Sequence, residues 1–99
     1  PVPDNVLHFA VNLASRTRPN TAHAAAVTNE YLSWGAGPRA SQFLVIGAKC
    51  NAVLNGKYSP DIEDVKAIAP AILRHRVVKN FKAEAEGISV ETIISDLLG

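Results

Sequence analysis

Apolar side chains recur at helical spacing in several stretches of the chain, and turn-forming residues separate these stretches. The first stretch shares one helical face through Val6, Phe9, Ala10 and Leu13. Pro3 and Asp4 are typical of a helix start, whereas Arg18 precedes a proline and is therefore pushed out of helical geometry. The pattern predicts a first helix from about Asp4 to Arg16.

The longest predicted helix follows the turn Gly35-Ala36-Gly37-Pro38-Arg39. Proline suits the first turn of a helix, and Gly37 is free to adopt the cap conformation. The helix is expected to run from Pro38 to about Asn55, where Gly56 ends it in a left-handed conformation. Its predicted buried face consists of Ala40, Phe43, Leu44, Gly47, Cys50 and Leu54.

Two further helices are predicted from their caps. Asp61, followed three residues later by Asp64, favours a capped helix start, and Pro70 is expected to bend this third helix or to restart it as a short turn. Ser89 is the expected cap of the last helix, with Ile88 and Ile93 spaced to form a hydrophobic staple. Ile93, Ile94, Leu97 and Leu98 are its predicted core side.

The remaining segments show no clear period. Residues 19–37 and 77–87 are interpreted as irregular, with an extended piece or a single turn as the open alternatives for residues 30–34. Tyr31 and Trp34 are expected to pin the first of these segments to the helices. Four helices, or slightly more, without a strand pair predict an all-α fold, a small bundle that forms a single domain over residues 1–99.

The composition disfavours some classes of function but does not identify one. Ten Lys and Arg residues balance nine Asp and Glu residues, which disfavours nucleic acid as a partner. One cysteine and three scattered histidines provide neither a disulfide nor a metal-ligand spacing, and no apolar run approaches the ~20 residues that cross a bilayer. We therefore expect a cytoplasmic protein with no bound metal and no membrane insertion. The sequence contains no Met and begins at Pro1, so we interpret it as a domain of a larger protein.

Candidate chemistry is concentrated at Gly37, Pro38 and Arg39. A helix start provides unpaired N–H groups and partial positive charge, and a guanidinium group has a fork of donors suited to phosphate oxygens. No glycine-rich phosphate loop is present, so this segment alone is not expected to hydrolyse a nucleotide. A second basic cluster, Arg74, Arg76, Lys79 and Lys82, is interpreted first as a solvated turn.

Several segments together resemble the C-terminal lid of MoxR-type AAA+ ATPases. They are Trp34-Gly35-Ala36-Gly37-Pro38-Arg39-Ala40-Ser41-Gln42, Gly56-Lys57-Tyr58, Ile62-Glu63-Asp64-Val65, Leu73-Arg74-His75-Arg76 and the stretch from Asn80 to Ile88. The resemblance runs through nearly the whole chain. Gly37 departs from the commoner form of the motif, in which many members have Ser.

The resemblance implies a preceding α/β domain that carries the Walker motifs and binds ATP with Mg²⁺. It implies that Arg39, in the Gly-Pro-Arg-Ala motif, is the sensor-2 arginine, which reaches the γ-phosphate when the lid closes. Arg74 and Arg76 become candidate contacts to the large domain or to a neighbouring subunit of a ring. Chaperone-like remodelling or maturation, often with a partner bearing a von Willebrand A domain, is the implied activity.

Two alternatives remain open from the residues alone. One is a stand-alone helical module whose exposed apolar groove binds a partner helix. The other is a nucleic-acid binder that uses the basic residues between Arg74 and Lys82 in a helix-turn-helix geometry, which the near-neutral net charge disfavours.

Overall fold

The computed structural model describes residues 2–99 and contains six helices and one two-stranded ladder within that range. The elements in chain order are α1 Asp4–Arg16, α2 Ala26–Tyr31, β1 Leu32–Trp34, α3 Ala40–Leu54, α4 Ile62–Leu73, β2 Val78–Lys79, α5 Phe81–Glu86 and α6 Val90–Leu98. The predicted all-α class is confirmed, and the first helix has the predicted bounds. No helix in this range has both the length and the apolar character needed to cross a bilayer.

Both segments interpreted as irregular contain regular elements, although the extended piece left open for residues 30–34 is present from Leu32 to Trp34. Residues 19–37 contain α2 and β1, and residues 77–87 contain β2 and α5. The strands pair antiparallel, with Leu32 opposite Lys79 and Trp34 opposite Val78. Both strands are too short to show alternation in the sequence, and their pairing joins residues more than forty positions apart. The predicted absence of a strand pair is therefore also corrected.

The core lies between α1, α3, α4 and α6, which contribute most of its fully buried side chains. The largest of these are Leu13, Leu44, Leu73, Ile93, Ile94 and Leu97. The last helix begins as predicted, because the Ser89 hydroxyl accepts the Thr92 N–H at 3.0 Å. Ile88 packs against the same core, as expected for its place in the staple.

Helices α3 and α4 pack antiparallel through small residues. Gly47 faces Ile68, and a Cβ atom at Gly47 would lie 3.0 Å from the Ile68 Cδ1. Ala48 and Ala69 are fully buried in the same core. Alanine and glycine keep the two helix axes close, because their side chains add almost no thickness between the backbones.

The buried face of α3 differs from the predicted one at Phe43, which is exposed, and in the C-terminal half of the helix. Ala40 and Leu44 are buried as predicted, but Cys50 is exposed and Leu54 is 85% exposed. The buried positions there are instead Ala48 and Ala52. The inward face is therefore a row of alanines, which the prediction missed because it placed the larger apolar side chains in the core. Gly56 ends the helix as predicted with φ +74°, while the Lys57 N–H donates to the Ala52 carbonyl at 2.8 Å.

The start of α4 is a fully formed capping box. The Asp61 side chain accepts the Asp64 N–H at 3.1 Å, and the Asp64 side chain accepts the Asp61 N–H at 2.8 Å. Asp64 also accepts from Asn51 of α3 at 2.8 Å and forms an ion pair with Lys57 at 2.6 Å. These contacts, with Lys57 the largest, lower the pKa of the buried Asp64 carboxyl to about 2. Asp64 therefore joins the helix start to α3 as well as capping it.

Pro70 lies inside α4, which continues to Leu73 rather than restarting. Proline provides no N–H for the preceding turn, but its carbonyl accepts both the N–H and the Nε of Arg74, each at 3.1 Å. The helix is thus held beyond the proline by a main-chain and a side-chain hydrogen bond to one acceptor.

We predict that Asp64→Asn lowers the free energy of unfolding by about 1–3 kcal/mol at pH 7, because it removes a charged acceptor from a buried network. The folded-state pKa of Asp64 lies below the ordinary value of about 3.9. The carboxylate therefore stabilises the fold above that value, and the contribution is lost as the pH falls toward about 2.

Urea unfolding at a series of pH values checks this prediction. The difference between the wild type and Asp64→Asn should shrink below about pH 4. Glu63→Gln is the matched control, since Glu63 is in the same helical turn and 79% exposed. If the free energy of unfolding of the two variants depended equally on pH below about pH 4, the prediction would be contradicted.

Candidate functional site

The turn before α3 is pressed against the end of α1. A Cβ atom at Gly35 would lie 2.3 Å from the Thr17 carbonyl oxygen and 2.6 Å from the Arg18 Cα. Main-chain atoms cannot move aside as a flexible side chain can. Only glycine therefore allows this approach, although the φ of Gly35 is not in the left-handed region.

Thr17 bridges the two segments from a fully buried position. Its hydroxyl donates to the Ala14 carbonyl at 2.6 Å and accepts the Ala36 N–H at 2.9 Å. The hydroxyl satisfies one main-chain group on each side of the contact. The last turn of α1 and the turn before α3 consequently form one hydrogen-bonded unit.

Arg18 adds a second connection from the same end of α1. Its Nε donates to the Ala36 carbonyl at 2.9 Å, and its Nη2 donates to the Gly37 carbonyl at 3.1 Å. The sequence identified Arg18 only as a helix stop before Pro19. No local pattern reveals these two contacts, because their partners are separated by 18 and 19 positions along the chain.

Helix α3 begins two residues later than predicted, at Ala40, with Arg39 in the cap position. The Ala40 N–H donates to the Gly37 carbonyl at 3.1 Å, so Pro38 and Arg39 form a turn rather than the first helical residues. Gly37 does not cap the helix. No side chain caps this helix start, and its first turn contains no acidic residue, so the partial positive charge is not compensated locally.

Arg39 and Arg76 are brought together although 37 positions separate them. Both line a shallow depression of about 430 Å³, together with Gly37, Pro38 and Ala40. The Arg76 guanidinium lies 4.5 Å from the centre of the Phe43 ring, and its Nη1 donates to the Ile72 carbonyl at 2.9 Å. Arg76 is thus held in place by α3 and α4.

Arg39 differs from Arg76 in its surroundings. It is exposed, and its side chain makes no hydrogen bond or ion pair with any residue in the range 2–99. Arg39 and Arg76 are the charged residues that line the depression, and no acidic residue lines it. Such a lining suits an anion with several oxygens, since guanidinium groups donate in a fixed fork.

The family model for the AAA lid domain matches residues 24–97. The chain belongs to the AAA lid domain family. Among curated proteins, it is 29% identical over 93 residues to the chaperone MoxR1 of Mycobacterium tuberculosis, a match that covers 94% of this chain and 25% of MoxR1. It is also 25% identical over 95 residues to the uncharacterized protein YeaC of Bacillus subtilis, covering 96% of this chain and 27% of YeaC.

A crystal structure of a "putative ATPase" from Cytophaga hutchinsonii superposes on the lid with a TM-score of 0.86 and 33% sequence identity. That match covers 98% of this chain and 29% of the other. The lid therefore spans about a quarter of the length of the curated relatives it matches. These similarities identify it as a MoxR-like AAA+ lid domain.

The other basic side chains of the lid are directed elsewhere. The Arg74 Nε lies 3.7 Å from a Glu91 carboxylate oxygen, on the side of α6 and away from the depression. Lys79 pairs with Glu84 at 3.0 Å, and Lys82 pairs with Glu30 at 2.8 Å. The run from Arg74 to Lys82 is thus divided among intramolecular contacts.

Tyr31 and Trp34 were both expected to pin residues 19–37 to the helices, but the structure gives them different roles. The Tyr31 hydroxyl donates to Glu86 at 2.8 Å, a hydrogen bond that raises the pKa of the phenol and joins α2 to α5. Trp34 does not pin its segment to the bundle and is 71% exposed. It lies opposite Val78, itself exposed, in a short ladder.

Gly35→Ala and Gly37→Ala make a matched pair of variants. We predict that Gly35→Ala lowers the free energy of unfolding by roughly 3 kcal/mol, near the upper end for overpacking, because main-chain atoms occupy the space of its Cβ. Gly37→Ala places a methyl group where no atom lies within 4 Å and should change stability by less than about 1 kcal/mol. Thermal or urea unfolding of both variants measures the difference, and equal stabilities would contradict it.

Proposed function

We propose that this lid closes over ATP bound by an α/β ATPase domain of the same polypeptide, with Arg39 as the sensor-2 arginine. The observation that carries the proposal is the placement of Arg39. It is exposed at an uncapped helix start, in a depression that Arg76 also lines, and its side chain has no acceptor among residues 2–99. The membership in the AAA lid domain family supports the same reading.

A charged hydrogen bond from Arg39 to a phosphate oxygen would contribute about 1.5–3 kcal/mol. Since each 1.4 kcal/mol changes an equilibrium tenfold, one such bond biases closure of the lid by about tenfold or more. The bond forms only when the lid is closed on the triphosphate. Loss of the γ-phosphate on hydrolysis would remove it, which couples the reaction to movement of the lid.

The lining of the depression also bears on the Mg²⁺ that accompanies ATP. Magnesium prefers carboxylate and other oxygen ligands, and the depression contains no carboxylate. The residues fit the phosphate anion and not the metal, so Mg²⁺ would be held by the ATPase domain. The lid then contributes cationic donors, and Walker motifs elsewhere in the polypeptide contribute the hydrolytic machinery.

The wider activity that we propose is chaperone-like remodelling or maturation of a partner protein in the cytoplasm. One similar protein, MoxR1, is named a chaperone. Neighbouring subunits of a ring and a partner with a von Willebrand A domain complete this proposal. Arg74 is 43% exposed on the α6 side and is the more accessible candidate for a contact between domains or subunits.

One observation favours the alternative of a protein-interaction module. An apolar groove of about 380 Å³ lies between α1 and α3, lined by Leu7, Val11, Ser41, Gln42, Val45 and Ile46. Ile46 is 56% exposed. A helix with apolar residues at helical spacing would fit such a groove. The two functions differ in the role of Arg39, which lies outside the groove.

We predict that Arg39→Ala in the full-length protein lowers ATP turnover about tenfold or more, as expected for the loss of one charged hydrogen bond. The lid should keep its stability, because the exposed Arg39 side chain makes no hydrogen bond or ion pair within residues 2–99. Steady-state ATP hydrolysis measures the first effect, and urea unfolding measures the second.

Lys49→Ala is the control for this variant. It removes one exposed positive charge from the same helix at a distance from the depression. Wild-type ATP turnover in Arg39→Ala would refute the proposed role of Arg39 and leave the interaction module as the better reading.

A separate prediction distinguishes Arg76 from Arg74. Arg76→Gln should reduce ATP turnover more than Arg74→Gln, because only Arg76 lines the depression that contains Arg39. Each substitution removes one charge, one hydrogen bond to a main-chain carbonyl of α4 and one further contact, with the Phe43 ring for Arg76 and with Glu91 for Arg74. ATP hydrolysis by the two variants at equal protein concentration makes the comparison, and an equal or reversed order would exclude Arg76 from the site.

A further inference from the structure

We propose that Arg18 is a positioning residue, which fixes the main chain from which Arg39 projects. The inference rests on the proposed function of Arg39 and adds to it. Arg18 does not itself line the depression, and of the lining residues its side chain is hydrogen-bonded only to the main-chain carbonyl of Gly37. It acts through the turn that carries Arg39.

The geometry of the contact is specific to a guanidinium group. Two nitrogens of Arg18 donate to two consecutive carbonyls, those of Ala36 and Gly37. The Gly37 carbonyl also accepts the Ala40 N–H, the bond with which α3 begins. Arg18 therefore holds the acceptor at which the helix starts, and one lysine nitrogen could not reproduce this planar fork.

The rest of the turn has little other lateral support. Gly35 and Ala36 are fixed by Thr17, but Gly37, Pro38 and Arg39 are exposed. No atom lies within 4 Å of the Cβ position at Gly37. Among the side chains of residues 2–99, only Arg18 forms a hydrogen bond to a main-chain group of residues 37–39. Without the Arg18 side chain, residues 37–39 would be held only by the main chain on either side of them.

Loss of this support should therefore affect function more than stability. Misplacement of a charged group by about 1 Å costs up to roughly a hundredfold in rate where geometry is critical. The fold itself retains the Gly35 contact and the Thr17 bridge. We thus expect Arg18 to matter only while Arg39 is present to be positioned.

The test is a double-mutant cycle on ATP turnover in the full-length protein, with Arg18→Gln, Arg39→Ala and the double variant. Arg18→Gln alone should lower turnover about three- to tenfold, and in the Arg39→Ala background it should lower it less than about twofold, because the two residues act as one unit. Arg18→Lys should restore less than half of the loss, since lysine keeps the charge but not the fork.

Arg16→Gln is the matched control for damage to this end of α1. The Arg16 Nη2 donates to the Leu97 carbonyl of α6 at 2.6 Å, so the substitution removes a similar contact that does not reach the turn. Its effect on turnover should be the same with and without Arg39. Urea unfolding of each variant gives the accompanying loss of stability.

The outcomes separate the two proposals. An Arg18→Gln effect that is absent, or that is equal in the two backgrounds, overturns the positioning role and leaves the role of Arg39 intact. The same coupling to Arg39 in Arg16→Gln also overturns it. Full ATP turnover in Arg39→Ala refutes the sensor role itself, whatever Arg18→Gln does.

Discussion

The contact between Gly35 and the Thr17 carbonyl is the constraint on which the candidate site depends. It brings the turn before α3 against the end of α1 at a distance that excludes a side chain. Thr17 can then bridge the two segments from a fully buried position, and Arg18 can reach the next two carbonyls. The main chain that carries Arg39 is therefore held in place, although the Arg39 side chain is exposed.

Buried polar groups elsewhere have a comparable role in joining elements. Asp64 satisfies the first turn of α4 while it accepts from Asn51 of α3 and from Lys57. An unpaired carboxylate at that depth would be costly, and three polar partners, the Asp61 N–H, Asn51 and Lys57, offset the cost. The relative position of α3 and α4 is consequently specified by directional bonds at one end and by close alanine packing along their length.

The sequence predicted the features that depend on neighbouring residues. The helix caps at Asp61 and Ser89 and the terminator Gly56 are local chemistry, so the predicted ends agree closely with the structure. Features that depend on distant residues were missed, as in the pairing of Leu32 with Lys79 and the contacts of Arg18. Cys50 was misplaced because a stripe of alanines, rather than the larger side chains, faces the core.

The candidate site was predicted in part for the same reason. The Gly37-Pro38-Arg39 segment has a recognisable local pattern, and the resemblance to AAA+ lids singled it out. The proximity of Arg76 arises from the antiparallel pairing of two helices, and no spacing along the chain indicates it. Phe43, expected in the core, instead lies under the Arg76 guanidinium with 37% of its surface exposed.

The small-residue seam between α3 and α4 has a mechanical consequence. Because Gly47 and Ile68 already interlock with little room between them, the two helices cannot slide past each other without opening a void. Arg39 lies directly before the start of one helix, and Arg76 lies just beyond the end of the other. Because the two helices cannot slide past each other, a movement of this pair would carry Arg39 and Arg76 together.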